Sequence, residues 1–353
     1  MKTYVIAEIG INFNGSLDNC YKMIDVAVDS GCHAAKFQIF SAKKLYPRSA
    51  GELDWKDDKE EYSYDIYKAV ESFELPREWI DELIKYCKDK EIDFMASVFD
   101  IEGLNEMVKK GMKVIKLSSY TITNLPLIEA AAKLKLPIIM STGGASISET
   151  EDAVNCINKY HNDLSLLHCS IQYPTKLEDV NMGILDTFKN VFPNVKIGYS
   201  DHTIEPSSAP IQSIYLGGVV VEKHITLDKQ MKGPDHFFAL EPDELKQMVD
   251  EIKEAENKYA SNNFFVNDVI YGKTEKICHE HEKYLRDFCY MTLFSNKTIK
   301  KGDIIKPTDI SILRAGKKSK GLEPRYLKLF ETYAVTAKDY IDFEDPINWD
   351  KIL

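Results

Sequence analysis

The sequence predicts an α/β chain, a (β/α)8 TIM barrel followed by a small second domain. Between residue 3 and about residue 258, eight short apolar runs alternate with amphipathic helical segments. No G-x-G-x-x-G follows the first run, so a doubly wound open sheet is the weaker alternative. After about Asn262 the alternation stops, and short apolar segments are separated by Gly302, Pro307, Gly316 and Gly321.

The strand candidates, in order, are Tyr4–Ile9, Ala34–Phe40, Asp93–Val98, Val114–Leu117, Ile138–Ser141, Leu164–Cys169, Val195–Tyr199 and Gly218–His224. Ser16 is placed to cap the first helix, which carries Leu17, Cys20, Met23, Ile24, Ala27 and Val28 on one face. Ser41 to Leu75 is an oversized, charged and aromatic connection after the second strand. On a barrel it belongs at the active-site mouth, as a lid or as a plain solvated insertion. Pro76 opens the next helix, with Trp79, Ile80, Leu83, Ile84 and Cys87 at helical spacing. The expected organisation is a barrel over 1–262, a mixed-charge linker over 263–290 and a compact, loop-rich domain over 291–353.

At 353 residues, 44% hydrophobic and 29% charged, the chain can bury one large core and a smaller one. A net charge of −11 argues against a general nucleic-acid or anionic-membrane surface, but leaves room for a local cationic pocket. No run of about 18 apolar residues occurs. MKTYVIAEIG reads as a strand rather than a signal peptide, so a cytoplasmic address is expected. Seven scattered cysteines read as reduced thiols. Cys278-His279-Glu280-His281 reads as an exposed connector, since neighbouring ligands without a second pair make a poor zinc site.

Barrel chemistry belongs at the carboxyl ends of the strands. There the sequence offers Glu8, Asn12 and Asn14; Lys36 and Gln38 on one face of the second strand; Ser97; and Lys116 followed by Ser118 and Ser119. Later strands add Ser141-Thr142-Gly143-Gly144; His168, Ser170, Gln172 and Tyr173; Ser200 and His202; and Glu222 and His224. A single strand lysine often snorkels and a single histidine is usually a satisfied core residue. Two lysines and two histidines in one lumen are costly unless an anion and a metal sit there. Lysines, serines and a Thr-Gly-Gly turn suit a phosphate and a carboxylate. His202 and His224 suit a shared ion of manganese, cobalt or zinc type, and spacing does not choose among them.

The ordered stretches AEIGINFNGS, AAKFQIF, IKLSS, IMSTGG, HCSIQYPT, GYSDHT, VEKHITLD and KGPDHFFAL resemble the motifs of the sialic acid synthases. These are the phosphoenolpyruvate-dependent synthases of N-acetylneuraminic, legionaminic and pseudaminic acids. RAG…GLEP resembles their C-terminal antifreeze-like (SAF, β-clip) domain. The resemblance covers nearly the whole chain. It implies a domain-swapped homodimer and a divalent metal on His202 and His224, typically manganese, with magnesium or cobalt as alternatives. It also implies a phosphoenolpyruvate cradle of Lys36, Ser97, Lys116, Ser119, Ser141, Thr142, Gly143 and Ser200. Gln38, Tyr173, Glu222 and Asp235 match sugar-pocket positions, and Arg314 matches an arginine that reaches a partner subunit's site to contact the sugar's N-acyl group. The implied reaction joins the methylene carbon of phosphoenolpyruvate to the metal-polarised aldehyde of a 2-acetamido sugar such as N-acetylmannosamine. It releases phosphate by carbon–oxygen cleavage and leaves a nine-carbon 2-keto acid.

The sequence departs from the family in several places. Thr121 stands where a glutamate is usual after the lysine of the fourth strand, and a threonine is no base at neutral pH. Glu8, Glu222, Lys36 and Lys116 remain as catalytic candidates. Phe13 replaces a common histidine, and Lys317 to Lys320 lengthen the loop after Arg314. Two other readings stay open: a related phosphoenolpyruvate-condensing barrel for another surface or spore-coat sugar, and a catalytically impaired sugar-binding homologue.

Overall fold

The computed structural model describes residues 2–56 and 61–353. Residues 57–60, inside the insertion expected at the barrel mouth, lie outside the described residues. Eight strands close a parallel barrel: β1 (Tyr4–Gly10), β2 (Ala34–Ile39), β5 (Asp93–Val98), β6 (Ile115–Leu117), β7 (Ile138–Ser141), β8 (Leu164–Cys169), β9 (Lys196–Asp201) and β10 (Val220–His224), with β10 returning to β1. Between β2 and β5 the insertion forms an antiparallel hairpin, β3 (Glu52–Lys56) and β4 (Glu61–Asp65), then a helix over Ile66–Ser72.

All eight anticipated barrel strands are present, because apolar runs buried on both faces can only be satisfied as parallel strands under helices. β9 differs at its end. It runs on through Ser200 and Asp201, past the expected stop at Tyr199, because both residues find partners on β10. Ser16 caps the first helix through Asn19 N, as its position predicts. Ile6, Ala34, Met95, Ile139, Leu167 and Val220 pack together as an apolar plug in the lumen. A larger core fills the space between sheet and helices.

Gly198 shows how tightly β9 and β10 approach. A Cβ there would stand 2.3 Å from Val220 O and 2.7 Å from Leu167 Cδ2. Gly198→Ala is therefore expected to cost about 3 kcal/mol, the upper range of core overpacking. Chemical denaturation checks it, and an unchanged midpoint would mean the two strands part without penalty.

Segment 263–290 was expected to be a linker with an exposed Cys278–His281 connector, and that expectation holds for Glu280 but is corrected for its three neighbours. Met182 N donates to Ile270 O, Gly183 N to Tyr271 O and Ile147 N to Lys276 O. Cys278, His279 and His281 are half-buried, and Glu282 is buried. Unpaired backbone at the barrel rim is satisfied by this strap, which a reading of local charge could not reveal. Beyond it, β11 (Met291–Ser295) pairs antiparallel with β12 (Ile310–Arg314). Residues 293–352 gather their own small core around Leu293, Ile341 and Ile347. A third cluster, with Phe40, Tyr46, Phe99, Phe288 and Met291, fastens this block over the barrel's own mouth. All seven cysteines are free thiols. Among the described residues no helix is long and apolar enough to cross a membrane.

Candidate active site

Strand register assembles the polar side chains. Glu8 stands level with Lys36 on one side and His224 on the other; Ser200 is level with Glu222, and Ser97 with both Gln38 and Lys116. These strand ends open into a cavity of about 390 Å³, in the size range of small-molecule sites.

Its base is a buried charge network. Lys36 Nζ lies 2.5 Å from Glu8 Oε2 and 3.5 Å from Glu222 Oε1, and donates to Ser97 Oγ at 2.9 Å. Lys116 Nζ lies 3.6 Å from Glu222 Oε1 and donates to Ser141 Oγ at 2.8 Å. Gln38 Nε2 donates to Glu8 Oε1, and Ser200 Oγ to Glu222 Oε1. Among the described residues Glu222 Oε2 and Ser118 Oγ are buried without a hydrogen-bond partner. Desolvation lowers the Lys116 ammonium below its ordinary value despite Glu222 beside it. Lys36 is pulled down by burial too, but Glu222 and Glu8 outweigh that and hold it above the usual lysine range. The two carboxyls part in the same way. Burial raises Glu8 in spite of Lys36, whereas Lys116 and Lys36 overcome the effect of burial on Glu222 and hold it low.

Above this network the imidazoles of His202 and His224 lie 5.4 Å apart, centroid to centroid. Burial keeps both neutral, lowering His202 and, more strongly, His224. His202 Nδ1 donates to Ser170 O at 2.7 Å, which leaves the Nε2 lone pair for a ligand. His224 Nδ1 is buried without a hydrogen-bond partner among the described residues, 3.9 Å from Asp235 Oδ2. Burial pushes the Asp235 carboxyl up to about 6. Two neutral imidazoles, one fixed in tautomer and one with an orphaned nitrogen, fit a divalent ion with its other positions open. Among the described residues no group of three His, Cys, Asp or Glu side chains forms a closed metal cluster.

Most of the anticipated residues line this cavity: Glu8, Lys36, Gln38, Ser97, Lys116, Ser119, Ser141, Tyr173, Ser200, His202, Glu222, His224, Asp235 and Arg314. Thr142 and Gly143 do not. Thr142 N and Oγ1 both donate to Leu167 O, Gly143 N donates to Ser119 Oγ, and Gly144 N to Glu282 Oε1. The turn therefore has no N–H left to offer an anion, and neither residue belongs to the cavity lining. Thr121 is fully buried and donates to Ser118 O, away from the cavity.

Arg314, expected to contact the sugar's N-acyl group, lies in the cavity wall. The strap brings it over its own chain's barrel, where the guanidinium lies 4.8 Å from the Tyr120 ring centroid, 5.3 Å from Phe99 and 5.6 Å from Tyr46. This aromatic wall, continued by Phe40, Phe73 and Phe288, was not singled out from the sequence. Its aromatics read locally as core. Only the insertion being present at the mouth hinted at them.

A closed parallel barrel with buried lysines, paired carboxylates and two neutral imidazoles at its C-terminal mouth defines a (β/α)8-barrel protein with a charged cavity where such barrels carry their chemistry. Within that class the chain belongs to the NeuB family, whose model matches residues 23–263. It is 37% identical over 353 residues to the spore coat polysaccharide biosynthesis protein SpsE of Bacillus subtilis, covering 99% of this chain and 93% of that protein. The N,N'-diacetyllegionaminic acid synthase of Campylobacter jejuni is 34% identical over 316 residues, 89% of this chain and 90% of that protein. The crystal structure of Bacillus subtilis SpsE superposes with a TM-score of 0.88 at 36% identity, over 100% of this chain and 95% of that one. The resemblance to the sialic acid synthases is thereby confirmed at the level of the family.

Proposed function

We propose that this protein is a nonulosonic acid synthase, condensing phosphoenolpyruvate with the open-chain form of a 2-acetamido sugar. The observation that carries this reading is the pair of buried Lys–Ser couples, Lys36–Ser97 and Lys116–Ser141, facing two neutral histidines across one cavity. The lysines would hold the phosphate and carboxylate, with Ser119 and Ser200 as further donors. A divalent ion on His202 and His224 would supply Lewis-acid polarisation of the sugar aldehyde. The methylene carbon of phosphoenolpyruvate bonds to the aldehyde carbon, whose oxygen takes a proton. Water adds at C2 and loses a proton, and the C2–O bond to phosphate then breaks, giving the 2-keto acid and inorganic phosphate. Glu222, with one oxygen unengaged, is placed to manage the water's proton. The reading also takes residues 291–353 as the antifreeze-like cap over a barrel of residues 1–262.

The acceptor end of the cavity is apolar. Phe40, Tyr46, Val70, Phe73, Leu285 and Phe288 lie beyond the strand ends, with Arg314 among them. Such a wall suits deoxy and acylamino substituents, which pack on the rings and offer Arg314 a carbonyl, whereas a phosphate there would meet a single cation in otherwise apolar surroundings. With manganese present, phosphate release from phosphoenolpyruvate is expected with 2,4-diacetamido-6-deoxy hexoses above N-acetylmannosamine, and least with its 6-phosphate. Chelation should abolish it. Silence with every sugar from folded, metal-loaded protein would overturn the synthase reading and favour a binding role.

A further inference from the structure

The turn Thr142-Gly143-Gly144 offers no N–H to a ligand, yet Ser119 beside it lines the cavity. The hydrogen bonding explains what the turn does instead. Gly143 N donates to Ser119 Oγ at 2.9 Å, so that oxygen already accepts and its own hydrogen is directed to the cavity side, where the Cys169 sulfur is its protein partner and a bound anion would be a stronger acceptor. The peptide that follows, Gly143–Gly144, is held through both its groups: the Tyr290 hydroxyl donates to Gly143 O at 2.8 Å, and Gly144 N donates to Glu282. Gly144 is held at both ends: its N–H donates to Glu282 Oε1 at 2.7 Å, and its carbonyl accepts from Arg286, which also pairs with Glu149. Glu282 Oε1 further accepts from Ile171 N at 3.2 Å, tying the ends of β7 and β8 together. Glu282 is 2% exposed and Tyr290 5%. Ile171 closes the space above the turn, since a Cβ on Gly144 would meet its Cδ1 at 2.6 Å.

We infer that Tyr290 and Glu282, in the strap between the two domains, are positioning residues for the substrate anion, acting through the Gly143 amide on the hydroxyl of Ser119. The inference rests on the proposed function, because it takes the anion beside Ser119 to be phosphoenolpyruvate. The strap is then part of the site. It restricts the directions in which Ser119 can point its proton to those facing the cavity wall, and the turn glycines are needed so that this chain of peptides can pass beneath Ile171.

The test measures phosphoenolpyruvate affinity of the full chain by titration calorimetry in the presence of manganese, alongside KM for each substrate. Tyr290→Phe keeps the ring and removes one hydrogen bond, and is expected to weaken phosphoenolpyruvate several-fold to about tenfold, the value of one such bond. The sugar KM and the thermal midpoint should stay near wild type. Glu282→Gln, which keeps one acceptor oxygen, should act in the same direction. The deciding measurement is the double variant. In a Ser119→Ala background Tyr290→Phe should cost nothing further, since the hydroxyl it orients is gone. Full additivity with Ser119→Ala, or an equal rise in both KM values, would reduce the strap to a structural brace and overturn the inference. If wild type binds phosphoenolpyruvate and Tyr290→Phe binds it equally, the inference alone fails. If wild type binds none, the proposed function fails with it.

Discussion

Lys36→Met is expected both to destabilise the protein and to abolish turnover. The lysine stands between Glu8 and Glu222, with its ammonium 2.5 Å from one and 3.5 Å from the other, at 2% exposure. Methionine preserves its length and removes the charge, leaving two buried carboxylates to share Lys116 alone. Breaking a buried pair by deleting one partner costs about 3–5 kcal/mol, because the survivor stays desolvated and uncompensated. The deficit should depend on pH in a defined sense. Burial already raises the Glu8 carboxyl, and without Lys36 only the hydrogen bond from Gln38 opposes that. A group whose folded pKa is raised favours the folded state below its unfolded value and penalises it as pH rises through the folded value. The variant should therefore regain stability between pH 7 and pH 5, and Glu8→Gln added to Lys36→Met should restore much of it at pH 7. Turnover should stay lost in both, by about 10²–10³-fold or more, since a fixed cation on the reacting anion is gone. Denaturant midpoints at the two pH values, with phosphate release, check this. A midpoint unchanged at pH 7 would show that the carboxylates are not held by Lys36.

The same network explains why so much of the barrel was legible. Parallel strands buried on both faces must be written as apolar runs, so a polar residue inside one, such as Lys36 in AAKFQI or Glu222 in VVEKH, stands out against its neighbours. Period-two spacing then put Lys36 and Gln38 on one face, and both do line the cavity. Lys223 shows the limit of that logic. It is fully buried as well, but it points away from the cavity, pairing with Asp201 at 2.6 Å behind the two histidines. Alternation along β10 separates it from Glu222 and His224, a distinction the face pattern carries correctly.

What the sequence could not carry lies in contacts between distant segments. Thr142 and Gly143 look like an anion loop by composition, but their N–H groups are engaged by Leu167 and Ser119. No local pattern announces that Glu282, some 140 positions later, would engage the next N–H of the turn. The charged stretch around it resembles any solvated linker until it is folded against the mouth. Arg314 was recognised from its motif, yet its aromatic surroundings come from Tyr46, Phe99 and Tyr120 on three different connections.

Glu222→Gln should separate catalysis from architecture at the position left open by Thr121. Glu222 Oε1 is fully committed, accepting from Ser200 Oγ and facing both lysines, while Oε2 is buried, partnerless and on the cavity wall. An unengaged carboxylate oxygen in a dry site is expensive unless a bound molecule uses it. Lys116 and Lys36 keep the group ionised despite its burial, so it can accept a proton. Glu8 is occupied differently, with one oxygen held by Gln38 and the other against Lys36. Glutamine at 222 keeps the shape and the acceptor for Ser200, and loses only the charge and the basic oxygen. The expected result is a kcat lower by about 10²–10⁴-fold, the usual value of a positioned general base, with phosphoenolpyruvate still bound. Glu8→Gln should instead act mainly on phosphoenolpyruvate affinity, through the charge balance at Lys36. Rapid-mix phosphate release with calorimetric binding distinguishes the two carboxylates. Should Glu222→Gln retain kcat while Glu8→Gln loses it, the roles are exchanged and the free oxygen of Glu222 serves only to hold the sugar.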